Sequence, residues 1–173
     1  RISGDCTNGL TERVCIQVKK IYDSCMQQEQ LDNINVKLTD ICPANTKFEA
    51  PVTFISCRST CTTGRIRDLC IDRICDRPNF ARVRCKVDIP VEILFEDSCG
   101  KEGSGRGVIT VAKDVVLFVP DESIIPFEVD NIVSAICVMG CYIGDNTFSL
   151  TACVTIILKV VADVELLVPA YGF

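Results

Sequence analysis

Alternation of apolar and polar side chains dominates this chain. From Val83 to Phe95 every odd-numbered position is apolar, and charged residues fill most of the positions between them. A period of two sends successive side chains to opposite faces, so this segment predicts a long antiparallel strand with one buried face. The same alternation runs from Phe148 to Leu166. The segment 108–119 is predicted to form a hairpin with the first strand.

Shorter segments extend the pattern. The stretches 14–18, 34–38 and 52–55 are predicted strands, and the glycine-rich stretch 97–107 is predicted to be an elongated hairpin loop. A short helical turn is expected only at 25–31. Seven or more strands at this spacing predict an all-β fold, an antiparallel β-sandwich of jelly-roll-like type.

Size and charge narrow the class of protein. A chain of 173 residues that is 48% hydrophobic suits a single β-sandwich domain spanning residues 1–173, with residues 1–12 as an N-terminal arm. The net charge of −5 argues against nucleic acid as a partner. The most apolar stretch, 150–168, contains Lys159, Asp163 and Glu165 and alternates, so no membrane span is expected.

Thirteen cysteines, with no histidine, restrict the possible chemistry. Catalytic pairs and triads that need an imidazole are excluded, which leaves disulfides or an all-thiolate metal site. No Cys-x-x-Cys spacing occurs and no acidic pair stands in a distinctive setting, so neither an enzyme, a metal nor a cofactor is predicted. Because the number of cysteines is odd, at least one sulfur is free or bonded to another molecule.

The register of each cysteine suggests its role. Cys85 lies among the apolar positions of its strand and is predicted to be a buried free thiol. Cys15 and Cys153 lie on polar registers, Cys99 at a hairpin tip and Cys6 in the arm, so these four are candidates for intersubunit disulfides, with intrachain pairing as the open alternative. The remaining eight, candidates for intrachain disulfides or free thiols, are Cys25, Cys42, Cys57, Cys61, Cys70, Cys75, Cys137 and Cys141.

Four segments carry a resemblance to a known family. The order 90–97 (PVEILFED), 125–129 (IPFEV) and 148–165 resembles the SPOCS-type β domain of clostridial spore-envelope proteins. The segment 14–25 (VCIQVKKIYDSC) is similar to the opening of cysteine-rich members of that group. The resemblance implies a non-enzymatic protein of the spore coat, the exosporium or a surface appendage, and it supplies no catalytic residues.

Together these observations predict a structural protein that assembles with copies of itself at the spore surface and is cross-linked by intersubunit disulfides. Other spore-envelope proteins are further expected partners. No signal-peptide pattern is present from Arg1 onwards, which fits synthesis in the mother cell and release by its lysis. The alternatives are a monomeric binding or adhesion module with intrachain disulfides, and a metal- or redox-active thiol protein.

Overall fold

The structure, a computed structural model, describes residues 10–122 and 124–171. Every regular element within these ranges is a β-strand, and all strand pairs are antiparallel, so the prediction of an all-β antiparallel fold is confirmed. The strands are β1 (Leu10–Lys37), β2 (Thr39–Cys42), β3 (Thr53–Ser59), β4 (Arg65–Ile74), β5 (Arg77–Glu96), β6 (Glu102–Phe118), β7 (Glu128–Gly144) and β8 (Thr147–Tyr171). In the described part of the chain there is no helix that could cross a membrane. β1 begins within the segment expected to be an N-terminal arm.

The eight strands form one sheet that is not closed into a barrel. Its order is β1-β8-β7-β3-β5-β6-β2, and β4 pairs with β5 beyond the end of β3. The sheet folds over so that β1 meets β6 through side chains, with Glu29 paired to Lys113 and Asp23 accepting a hydrogen bond from the Phe118 amide. The molecule is therefore sandwich-like, with the apolar core between two halves of one sheet.

The core consists of the alternating apolar residues that predicted the strands. The predicted strands 83–95, 108–119 and 148–166 correspond to β5, β6 and β8. Side chains such as Val83, Ile89 and Leu158 have at most 1% of their surface exposed. Removing an aliphatic side chain of this size from water contributes about 1.5–3 kcal/mol, so burial of these side chains is a main contribution to the stability of the fold.

The segment 25–31 is a strand, and the expectation of a helical turn there was wrong. Cys25 pairs with Leu158 and Leu31 with Ala152, within the long β1–β8 ladder. Both β1 residues pack partly buried against the core. The local sequence is rich in glutamine and favours a helix, but the ladder and the burial of alternate side chains override that preference.

The predicted elongated loop 97–107 is also shorter than expected. β5 ends at Glu96 and β6 begins at Glu102, so Gly103, Gly105 and Gly107 belong to the strand. A Cβ at Gly105 would lie 2.8 Å from Leu38 Cδ1, and one at Gly107 would lie 2.3 Å from Val36 Cγ1. These glycines leave room for core side chains that pack directly onto the β6 backbone, because no side chain of their own stands there.

Candidate assembly surface

The outer ends of β1 and β8 project from the sandwich as a two-stranded ribbon. Glu128, the first residue of β7, pairs with Val161 of β8. Beyond that point, in the part of the chain that the structure describes, residues 162–171 of β8 pair with residues 10–20 of β1 alone. We call this segment, residues 13–20 with residues 162–169, the ribbon. Because this segment continues the β1–β8 ladder of the sandwich, the rest of the sheet holds its two strands together.

One face of the ribbon is apolar except at its inner end, where Lys20 lies opposite Ala162. It carries six aliphatic side chains that pair across the two strands: Val14 with Val168, Ile16 with Leu166, and Val18 with Val164. Even-numbered residues of β8 point into the core from Phe148 to Ala162, so this face continues the core-facing side of the sheet. Val14 is 36% exposed, Ile16 37% and Leu166 46%. In the part of the chain that the structure describes, the apolar face of the ribbon is thus a core-type surface that stays partly exposed.

The other face of the ribbon, which we call the polar face, carries Cys15 and several charged residues, together with Leu167, which lies opposite Cys15 and is 66% exposed. Gln17 lies opposite Glu165, and Lys19 lies opposite Asp163. Cys15 is exposed, as its polar register predicted, and its Sγ lies 3.9 Å from Glu165 Oε2. The sulfur is therefore accessible to a thiol of another molecule.

Two more candidates for intersubunit disulfides are exposed. Cys153 lies on the outer face of β8, between Gln30 of β1 and Ile136 of β7. Cys99 lies in the tight turn between β5 and β6, where its amide donates to Asp97 Oδ1 over 2.9 Å. The fourth candidate, Cys6, lies outside the described residues. The three exposed sulfurs occupy the ribbon, the outer face of the sheet and a hairpin tip, so they lie at separate places on the surface.

The candidates for intrachain disulfides or free thiols divide by burial. Cys42, Cys61, Cys75 and Cys141 are exposed, and Cys25 and Cys70 are half-buried. Cys70 Sγ lies 3.5 Å from Asp72 Oδ1 and 3.6 Å from Arg84 Nη2. Cys57 and Cys137 are both buried and adjacent, with their Sγ atoms 2.8 Å apart. No regular spacing in the sequence indicated this pair, because 80 positions separate the two residues.

Cys85 lies in the core, with 5% of its surface exposed, at the position that the sequence predicted. It pairs with Lys113 in the β5–β6 ladder. Burial raises the pKa of the Cys85 thiol, and the positive charge of Lys113 partly offsets the rise. The thiol is therefore protonated at neutral pH and, as a buried small hydrophobe, it is poorly reactive.

Within residues 10–122 and 124–171, no three cysteine or carboxylate side chains converge in the way that a metal site requires. The known proteins do not add a functional assignment: no family model, no curated protein and no solved structure matches this chain. The ribbon and the exposed cysteines are accordingly the candidate functional features of the described residues.

Proposed function

We propose that this chain is a structural protein that polymerises with copies of itself at the bacterial spore surface and is then cross-linked by disulfides between subunits. The observation that carries the proposal is the ribbon, whose apolar face continues the core-facing side of the sheet and stays partly exposed among the described residues. The proposed location in the spore coat, the exosporium or an appendage rests on the resemblance of residues 90–97 and 148–165 to spore-envelope proteins.

A second copy of the chain is the occupant that best fits the apolar face. Two such faces have the same length, the same width and the same aliphatic character, so they complement each other across a two-fold axis. Burying an exposed aliphatic side chain contributes up to about 1.5–3 kcal/mol. The outer edges of β1 and β8 along the ribbon, which pair with no other described strand, offer further contacts by strand addition.

The exposed cysteines add covalent bonds between subunits at places other than the ribbon contact. When two ribbon faces meet, Cys15 remains on the outward polar face, where it is free to bond to a third subunit. Cys99 and Cys153 lie elsewhere on the surface, so one subunit presents several bonding directions. A chain with more than two such directions forms an extended network, which suits a protective layer.

The role of the ribbon is tested by a matched pair of variants. Ile16→Lys places a charge on the apolar face, whereas Gln17→Lys places the same charge on the polar face, opposite Glu165. Under reducing conditions we expect sedimentation velocity to show that Ile16→Lys abolishes association. We expect Gln17→Lys to associate like the wild type. Equal association of both variants would contradict the proposal that the apolar face is the contact.

A monomeric binding module is the second candidate function, and one observation favours it. A cavity of about 500 Å³ lies between the β2–β3 segment and the end of the sheet. Its apolar lining includes Ile41, Phe48, Tyr142 and Phe148. Such a cavity suits a small apolar ligand. Two results together would favour this function: the protein stays monomeric, and it binds an apolar fluorescent probe in the cavity. The variant Phe48→Ala should then lose the binding of the probe.

A further inference from the structure

Cys57 and Cys137 lie directly opposite each other where β3 pairs with β7. On its other side Cys57 pairs with Ile93 of β5, and Cys137 pairs with Ala152 of β8. All four side chains are buried. The two cysteines therefore stand side by side in one core-facing row that crosses β5, β3, β7 and β8.

The distance between the two sulfurs is short. Their Sγ atoms are 2.8 Å apart, closer than the roughly 3.5–4.0 Å at which non-bonded heavy atoms pack best. A disulfide needs an S–S distance of about 2.05 Å, so a small side-chain adjustment brings the pair to bonding distance. We propose that Cys57 and Cys137 form an intrachain disulfide that joins the two halves of the folded sheet.

The position of the bond gives it a structural purpose. Strands β1, β8 and β7 form one half of the sheet, and β5, β6 and β2 form the other, with β3 between them. The ladder between β3 and β7 has only two residue pairs, Cys57–Cys137 and Arg58–Ile136. We call the joint between the two halves the seam. It continues past β3 at Gly64, whose amide donates to Asn131 Oδ1 and whose carbonyl accepts a hydrogen bond from Asn131 Nδ2. A disulfide thus reinforces the joint where the backbone ladder is shortest.

The oxidation is an exchange with a low-molecular-weight disulfide such as oxidised glutathione. The two thiols of the protein lose two protons and two electrons and form one S–S bond, and the small disulfide is reduced to two thiols. A thiolate must attack first. The hydrogen bond with Cys137 and burial raise the pKa of Cys57, whereas the same hydrogen bond lowers the pKa of Cys137, so Cys137 is the thiol that supplies the attacking thiolate. Both thiols are buried in the folded protein, where a small disulfide does not reach them. The bond is accordingly expected to form during folding, before the seam closes.

The bond between Cys57 and Cys137 does not depend on self-assembly. A bond within the chain forms equally in a monomer and in a polymer, whereas the proposed function requires bonds between chains. The two are separated by labelling: unlabelled and ¹⁵N-labelled chains are mixed in denaturant under reducing conditions and refolded together with oxidised and reduced glutathione. After denaturation and alkylation without reductant, the peptides are analysed by mass spectrometry.

We expect the Cys57 peptide linked to the Cys137 peptide, with both unlabelled or both labelled. Linked peptides of mixed label, or alkylated Cys57 and Cys137, would overturn the proposal. Mixed labels on peptides that contain Cys15, Cys99 or Cys153 bear on the proposed function alone.

Stability gives a second measurement, with Cys85 as the matched control. A bond that closes a loop of this length is expected to raise the melting temperature by about 10 °C. In the double variant Cys57→Ala/Cys137→Ala, reductant should no longer lower the melting temperature by that amount. In Cys85→Ala, which removes a buried thiol that lies opposite a lysine, the loss on reduction should persist. The same loss in the double variant as in the wild type would contradict the proposed bond.

Discussion

Lys113 of β6 donates to Glu29 of β1 over 2.5 Å and joins two strands that face each other across the open side of the sandwich. The Lys113 side chain is 5% exposed and that of Glu29 is 40% exposed. Lys113 lies on the core-facing register of β6, between Val111 and Val115. The ion pair therefore allows a lysine to occupy a core position, and the two partners contribute unequally to stability.

That asymmetry leads to a first prediction. Glu29→Gln leaves the buried ammonium without its counter-charge, and we expect a loss of about 1–2 kcal/mol in the free energy of unfolding. This is less than the roughly 3–5 kcal/mol for a fully buried pair, since Glu29 is partly solvated. Lys113→Met keeps the apolar stem and removes the charge, so it should be neutral or stabilising. Urea unfolding of the reduced monomer measures both, and a greater loss in Lys113→Met would contradict this account.

A second prediction concerns the glycines of β6. Gly107→Ala places a methyl group against Val36 in the core, and we expect a destabilisation of about 1–3 kcal/mol from overpacking. Val36→Ala alone leaves a cavity and is also destabilising. In the double variant the new methyl occupies part of that cavity. The destabilisation of the double variant should therefore be clearly smaller than the sum of the destabilisations of the two single variants. Strict additivity in urea unfolding would show that the two sites do not contact each other.

A third prediction concerns acid stability. Asp97 accepts hydrogen bonds from the amides of Glu49, Lys101 and Cys99 at 3.1, 2.8 and 2.9 Å. The bonds from Glu49 and Lys101 are the main causes that lower the pKa of this carboxyl. A carboxyl with a lowered pKa stabilises the fold above its ordinary pKa of about 3.9, and that stability is lost as the pH falls through the lower, folded value.

Asp97→Asn removes this charge, so the variant should be less stable than the wild type at pH 7. Between pH 5 and pH 2 its stability should fall less steeply. Urea unfolding across that range measures the free energy of unfolding of both proteins as a function of pH. Equal slopes for the two would show that protonation of Asp97 does not contribute to the loss of stability in acid.

The features that the sequence revealed are those with a strict period of two. β5, β6 and β8 alternate along most of their length, because one face of each strand packs into the core and the other is solvated. β7 escaped prediction because both faces of its sequence carry apolar residues, and Ile136 and Val138 are 58% exposed on the outer face. Exposed aliphatic residues hide the alternation on which strand prediction depends.

The candidate site was only partly predictable. The exposure of Cys15 and Cys153 and the burial of Cys85 follow from local register. The contact between Cys57 and Cys137 depends on which strands become neighbours across the seam, and local pattern carries no information about that. The partial exposure of the apolar face among the described residues is likewise a property of strand lengths, because β8 continues past the start of β7.

The proposal that exposed cysteines join the subunits predicts a graded response to their loss. Replacing Cys15, Cys99 or Cys153 singly by serine should lower the resistance of assemblies to heat and detergent, while non-covalent association persists through the ribbon. Replacing Cys85 by serine serves as a control, because its buried thiol does not reach another subunit. Detergent-resistant material quantified after heating measures the effect. Equal resistance to heat and detergent in all four variants would contradict the proposal that Cys15, Cys99 and Cys153 form bonds between subunits.

The most direct test of covalent self-assembly is electrophoresis of native assemblies in detergent, after boiling, with and without reductant. Alkylation of free thiols before boiling prevents exchange during the experiment. We expect a ladder or high-mass material without reductant, which strong reductant converts to a single monomer band. A monomer band in the unreduced sample would contradict covalent self-assembly.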